Sequence, residues 1–301
     1  METKGLGDTP SLPVLNGNSS FELIAGDLRD RDVTSRALQG MDAVIHLAAI
    51  VGDPACARNP ELARAVNLDA AMQLIELAEH SEIQRFIFAS TCSNYGRIPE
   101  QSAAVNEDFE LKPVSLYAET KVALERRLLA KPSHSFIPTV LRFATLYGLS
   151  PRMRFDLTVN EFTHSLFLER RLVVYGKQFW RPYVHVSDAA RAISKMLEAP
   201  ADAVRERVFN VGDTNENYRK SDLVRIIQKR VGQAEIQYVQ QTEDPRDYRV
   251  SCARIQDELG FRVTRRVADG VNEIIEALTG GVRPTRFSYN VESAAQPWRT
   301  E

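Results

Sequence analysis

Short apolar runs alternate along this chain with longer stretches in which apolar residues return every three or four positions. Phe21–Ala25 reads as a short strand ending at Gly26-Asp27. Met41–Ala49 contains a second strand, apolar enough to be buried on both faces. Gln84–Ser90 and Pro138–Ala144 read as a third and a fourth. Between them lie two helix-periodic segments. In Pro60–Glu79 the apolar side carries Leu62, Val66, Leu74, Leu77 and Ala78; in Ser115–Ala130 Leu124 and Leu128 continue the inward stripe. Strands alternating with helices predict βαβ units, hence an α/β fold with a parallel sheet covered on both faces.

After Gly148 the pattern loosens. Helices are expected at Val159–Glu169, Ser187–Glu198, 220–231, 253–259 and 268–279, with strands at Leu172–Tyr175, Val208–Gly212 and Glu235–Val239. An aromatic turn separates Tyr175 from Ser187. Residues 1–20, rich in Gly, Pro, Asn and Ser, read as a loop or arm, and the tail from Gly280 shows no periodicity.

Composition narrows the class. With 301 residues, 44% apolar and 26% charged, the chain can bury one large core or two smaller ones. A net charge of −2 without a basic stripe argues against nucleic acid as a partner. Cys56, Cys92 and Cys252 are far apart, as suits free thiols in a reducing compartment. The start Met-Glu-Thr-Lys-Gly has no apolar signal core, and no run of eighteen apolar residues follows. A cytoplasmic protein without a membrane partner is the expectation.

The chemistry centres on Tyr117 and Lys121, four apart at the start of a helix-periodic run and therefore on one helix face. An ammonium beside a phenol favours the phenolate, which would make the tyrosine a usable proton donor and acceptor near neutral pH. Ser90-Thr91-Cys92-Ser93 ends the strand before them. Other segments stand in a fixed order around this pair: Gly26-Asp27-Leu28, His46-Leu47-Ala48-Ala49, Asn67, Ser90 to Gly96, Leu141 to Gly148, and Arg181 to Asp188.

Taken together, these segments resemble the extended short-chain dehydrogenase/reductase family, specifically its nucleotide-sugar epimerases and dehydratases, over roughly residues 20–280. The resemblance implies a Rossmann-like doubly wound parallel sheet, here shortened at its N-terminus, with a smaller C-terminal α/β substrate domain. Residues 1–148 and 182–212 would form the cofactor domain, 149–181 and 213–280 the substrate domain, and 281–301 a tail. It further implies that Asp27 and the backbone of Leu28 hold the adenine of NAD (or NADP), with Leu47, Ala48 and Ala49 running beneath the cofactor and Asn67 beside it. Lys121 would bond the nicotinamide ribose and lower the pKa of Tyr117, the acid/base, while Thr91 bonds the reacting sugar hydroxyl. Arg181 would pair with the diphosphate of a nucleotide sugar, a role suited to a guanidinium fork. Arg246 or Arg249 would add a second such contact, and Thr145 stands where many relatives carry Asn. A homodimer through the helices at 60–79 and 115–130 is implied too.

Two departures shape the expected activity. Dehydratases of the family follow the threonine with Asp-Glu, whereas Cys92 and Ser93 follow Thr91 here, so epimerisation or a single oxidation or reduction is expected. No Gly-x-x-Gly-x-x-Gly loop precedes the pair, and the twenty residues before the Asp27 strand are fewer than the roughly 30 of a phosphate-binding βαβ unit. Either the unit lies upstream of this start, or the chain is a non-catalytic relative that binds a sugar nucleotide or a protein partner. Several residues carry two readings: His46 as packing or chemistry, Asp27 as a strand end or an adenine ligand, Asn67 as a loop tie or a cofactor contact, Cys92 as filler or nucleophile, Trp180 as an anchor or a nucleotide wall. The charged run Glu119–Arg127 reads as mostly a solvated helix face.

Overall fold

The computed structural model describes residues 18–98, 103–130, 135–242, 244 and 246–284. Most of the N-terminal arm and residues 285–301 of the tail lie outside the described residues. In chain order, α1 (Arg31–Leu38) precedes β1 (Ala43–His46) and α2 (Asp53–Arg58). A long helical stretch follows: α3 (Pro60–Arg64), a π-helical turn (Ala65–Asp69) and α4 (Ala70–Glu79). Next come β2 (Arg85–Thr91), a 3₁₀ turn (Cys92–Tyr95), α5 (Leu116–Leu129), β3 (Ile137–Phe143) and β4 (Thr145–Tyr147). The chain continues through α6 (Thr158–His164) with a second π turn (Ser165–Glu169), β5 (Arg171–Tyr175), β6 (Trp180–His185), α7 (Val186–Glu198) and α8 (Ala201–Val204). It closes with β7 (Arg207–Val211), β8 (Asn217–Arg219), α9 (Lys220–Val231), β9 (Glu235–Val239), α10 (Ala253–Leu259) and α11 (Val267–Thr279).

The main sheet runs β1-β2-β3-β7, every pair parallel. Side chains alternate across it, as the pleat requires. Phe86, Phe88 and Val140 enter a cluster with Leu74, Ile75, Ala78, Leu124 and Leu128 of α4 and α5. Ile87, Leu141 and Phe209 enter another with Ala192 and Met196 of α7 and Ile255 of α10. Helices on both faces make this a doubly wound α/β sheet. A third cluster joins β5, α6, α9 and α11 through Val174, Val159, Phe162, Val224, Val271 and Ile274. Two small sheets, β4-β6-β8 and β5-β9, lie outside the main one.

Three expectations need correction. Phe21–Ala25 is not a strand: Phe21, Leu23 and Ile24 are exposed and pair with nothing in a sheet. The second strand is not buried on both faces. Among the described residues β1 is an edge strand, and Ile45 and Leu47 stay 41% and 56% exposed because no further element covers that flank. Trp180–His185 is a strand rather than an aromatic turn. Pro182 lacks an amide hydrogen and reads as a breaker, yet it pairs with Asn217 at the end of the short antiparallel contact with β8.

Leu141 is fully buried in the middle of β3. Leu141→Ala is expected to destabilise the protein by about 2–5 kcal/mol, read as a lower urea midpoint at unchanged slope. A loss under about 1 kcal/mol would contradict the packing described for this face.

Candidate active site

The site sits where β1 and β2 end, at the carboxyl edge of a parallel sheet, the place where such sheets bind ligands. Helix α5 supplies its wall. Ser115 caps the helix by accepting the Ala118 amide (3.3 Å) and donates its own hydroxyl to Asp53 of α2 (2.7 Å). From that fixed start, Tyr117, Lys121 and Glu125 fall four residues apart, one above the other on the face turned toward β2. The Lys121 ammonium donates to the Ala89 carbonyl at 2.7 Å, two residues before Thr91, and lies 4.7 Å from the Phe88 ring centre and 5.8 Å from that of Tyr117. Thr91 ends β2; its Oγ1 accepts the Ser93 amide (3.1 Å) and shares a hydrogen bond with the Ser93 hydroxyl (2.9 Å).

The expected lysine-promoted phenolate is not what this arrangement produces. Burial pushes the Tyr117 phenol above its ordinary range, Cys56 and Asp53 push the same way, and Arg154 opposes them. Lys121 directs its ammonium to a backbone carbonyl rather than to the phenol, so desolvation outweighs attraction. Lys121 is itself lowered to about 8 by burial, with Glu125 and Cys56 opposing. Arg154, tied to Asp156 at 2.7 Å, is a cation near Tyr117 that sequence reasoning missed. It belongs to the stretch after Gly148, where periodicity gives no guide.

The two-sided readings now separate for several residues. His46 is buried and stacked on Phe88 (5.8 Å between ring centres), and burial with the Lys121 charge lowers it to about 4, so it is neutral packing at pH 7. Asn67 ties a loop: its amide accepts from Ile50 N–H (2.7 Å) and donates to the Ile50 carbonyl (2.9 Å), holding the segment that begins with Leu47, Ala48 and Ala49. The π turn that contains Asn67 aims it there, a recurrent use of such bulges. Cys92 is fully buried, donates to the Arg142 carbonyl (3.1 Å) and has its thiol pushed up by burial, which is filler chemistry. Asp27 is exposed and forked by Arg29 (2.6 Å), which holds its carboxyl down at about 2; the Leu28 side chain packs on the α4–α5 core.

Farther along, Arg181 is buried, with its guanidinium donating to Asp244 (2.7 Å) and to the Trp180 carbonyl (2.7 Å) and lying over Tyr248. Arg246 sits between Asp244 (3.8 Å) and Asp53 (3.4 Å) and so reaches α2 beside Tyr117. Arg249 and Arg219 lie 5.0 and 4.9 Å from the Trp180 ring centre, which makes that indole a cation platform within the chain. Thr145 is half-buried in β4, paired in register with Tyr183. Glu125 falls in the run Glu119–Arg127 expected to be mostly a solvated helix face, and at this position that expectation needs correction. Its side chain is buried and paired with Arg142 of β3 (2.7 Å), not solvated; its four-residue spacing from Lys121 was the available signal. Among the described residues, no group of three or more His, Cys, Asp or Glu could hold a metal, and no helix is long and apolar enough to cross a membrane.

Residues 6–212 match the NAD dependent epimerase/dehydratase family. The chain belongs to that family. Protein CapI of Staphylococcus aureus is 29% identical over 285 residues, 86% of this chain and 83% of its own length. A dTDP-glucose 4,6-dehydratase of Streptomyces niveus is 28% identical over 277 residues, covering 90% and 80%. Among solved structures, the UDP-glucuronic acid 4-epimerase of Bacillus cereus in complex with UDP-glucuronic acid and NAD superposes with a TM-score of 0.78 at 26% identity, covering 89% of this chain and 85% of that one.

Competitive acylation of the ligand-free protein, read peptide by peptide, is expected to show Lys121 losing its proton near pH 8, against about 10.4 for an ordinary lysine. The folded amine gives up its proton more readily than the unfolded one. Its cost to stability is therefore full below pH 8 and is relieved as pH rises toward 10.5. An ordinary midpoint for Lys121 would contradict the burial described for it.

Proposed function

We propose that this protein is a nucleotide-sugar epimerase, acting on a nucleoside-diphosphate sugar by reversible oxidation at a sugar carbon with NAD as its dinucleotide. The observation that carries this reading is the alignment of Tyr117 and Lys121 on α5 against the Thr91 end of β2. The surroundings fit the nicotinamide half of a dinucleotide. Leu47 and Ala48 are exposed at the strand end, with the small side chains of Ala48 and Ala49 leaving room for close approach, and Lys121 offers its ammonium for a ribose hydroxyl. Asp27, freely exposed beside α1, would take the adenine amine once its Arg29 fork opens. When bound, the dinucleotide supplies a hydride acceptor and donor.

The chain's own residues do the proton work. Thr91 orients the sugar hydroxyl, and Tyr117 exchanges the proton at that oxygen. A phenol pushed up by burial is a poor base alone, so this reading requires Lys121 to leave the Ala89 carbonyl and face the phenolate in the loaded site. Arg181 would exchange Asp244 for the substrate diphosphate, with Arg246 or Arg249 as its second. The same reading keeps residues 149–181 and 213–280 as the part that holds the sugar nucleotide, with 1–148 and 182–212 beneath the dinucleotide. It also keeps a homodimer through the helices at 60–79 and 115–130.

Epimerisation is favoured over dehydration because the two positions after Thr91 cannot supply an acid. Cys92 is buried with its thiol pushed up, and Ser93 is bonded to Thr91. With UDP-glucuronate, UDP-glucose and dTDP-glucose as trial substrates, Tyr117→Phe is expected to lower turnover by roughly 10²–10⁴. The variant should retain any dinucleotide, detected by mass spectrometry after heat release. Full turnover in Tyr117→Phe would sink the assignment. A folded chain that neither carries nor binds NAD or NADP would favour the non-catalytic relative.

A further inference from the structure

Beneath Tyr117 and Lys121 lies a charged pair that the proposed chemistry does not itself use. Glu125 is 2% exposed and Arg142 4%, an environment in which ionised groups persist only when every partner is supplied. The Glu125 carboxylate is saturated. Arg142 donates to it through Nη2 (2.7 Å) and through Nε (3.1 and 3.2 Å). Asn94 donates at 2.8 Å, and the Ser90 hydroxyl makes a short bond to the same oxygen. Asn94 and Ser90 also bond to each other at 3.1 Å. Arg142 Nη1 donates to the Tyr95 hydroxyl (2.9 Å) and the Glu107 carbonyl (3.0 Å), and Tyr95 passes the chain on to Asn210 of β7 (2.8 Å).

The choice of partners matters more than their number. Ser90 immediately precedes Thr91, and Asn94 lies within the turn that follows it. One carboxylate therefore grips the chain on either side of the threonine whose own hydroxyl stays at the strand end. The same carboxylate stands one helical turn beyond Lys121, whose ammonium reaches Ala89 two residues before Thr91. A filler ion pair would have no reason to join these two groups.

We propose that Glu125 is the positioning residue of the acid–base couple: paired with Arg142, it holds the side chains of Ser90 and Asn94 on either side of Thr91 and stations a negative charge one turn beyond Lys121. The roles of Thr91 and Lys121 rest on the epimerase reading; the clamp and the charge do not. Lys121 is faced by Glu125 from its own helix, by Cys56 from α2 and by His46 from β1. Tyr117 is faced by Cys56 and Asp53 from α2 and by Arg154 from the loop before α6. Glu107, behind Arg142, is answered by Arg254 at 3.6 Å. Of these groups, Glu125 is the first to raise the Lys121 amine against burial, so neutralising Glu125 moves that amine downward.

The experiment reads Lys121 and turnover separately. Competitive acylation of the full chain gives the Lys121 midpoint in wild type, Glu125→Gln and Glu125→Asp, whether or not turnover is seen. Where Glu125→Gln leaves Arg142 unanswered and does not fold, the double variant E125Q/R142Q removes both charges together. The midpoint should fall by roughly one unit in Glu125→Gln, by less in the double variant, which also removes the Arg142 cation, and stay near the wild-type value in Glu125→Asp. On the substrate that wild type turns over, kcat should fall about tenfold or more with KM little changed, and Glu125→Asp should recover most of it. A folded variant with an unmoved Lys121 midpoint and wild-type kcat would overturn the proposal, as would equal losses in kcat and KM in all variants. Absence of turnover in wild type would instead count against the epimerase reading, while the acylation midpoints alone would then decide whether Glu125 acts on Lys121.

Discussion

The structure depends most on keeping one carboxylate ionised in a place that excludes water. Moving such a group from water to a low-dielectric interior costs several kcal/mol even after relaxation, and removing its partner typically costs about 3–5 kcal/mol. Glu125 meets that cost with Arg142 and two neutral donors, and in doing so joins α5 to β2 and β3. Apolar packing alone would hold the helix on the sheet, as Leu124 and Leu128 do. It would not fix the helix along its own axis, because hydrophobic contact is non-directional. A forked ion pair with good geometry is directional, and it sets where along β2 the residues above Glu125 must stand.

A second buried pair, Arg181 with Asp244, plays a comparable part at β6. Asp244 also receives the Arg246 amide at 2.9 Å, and Arg246 reaches Asp53 of α2. Asp53 in turn accepts from Ser115 at the start of α5. Cap, carboxylates and guanidiniums thus form a continuous polar path from the α5 N-terminus to β6. Three side chains, Asp244, Arg246 and Asp53, link Arg181 to Ser115 along it.

How much of this could be read from sequence follows from where the physics is local. β2 and β3 carry short apolar runs, and the sequence reading lies within a residue of their observed bounds. Tyr117 and Lys121 were legible because helical spacing converts four positions into a shared face. Glu125 stands at the next such position, but an acid within a charged run looks solvated until β3 delivers Arg142, seventeen residues on. Helix α1 escaped notice because only Thr34 and Leu38 are buried along it. β6 was hidden by Pro182, whose missing amide matters little at the end of a short pairing. The side-chain partners of Arg181 and Asp27 are set by contacts that no periodicity encodes.

The π turn at Ala65–Asp69 has a geometric consequence of its own. Each residue advances an α-helix by about 100°, so one extra residue in a turn rotates everything after it by that angle. α3 lies against α2 and α5, whereas α4 lies against α1 and α5. A single uninterrupted helix of this length would keep one seam and could serve only one of those surroundings well. The inserted residue acts as a phase shifter, letting one continuous rod lie against α2 and α5 with its first half and against α1 and α5 with its second. It leaves Asn67 at the break, turned toward the strand end rather than toward either layer.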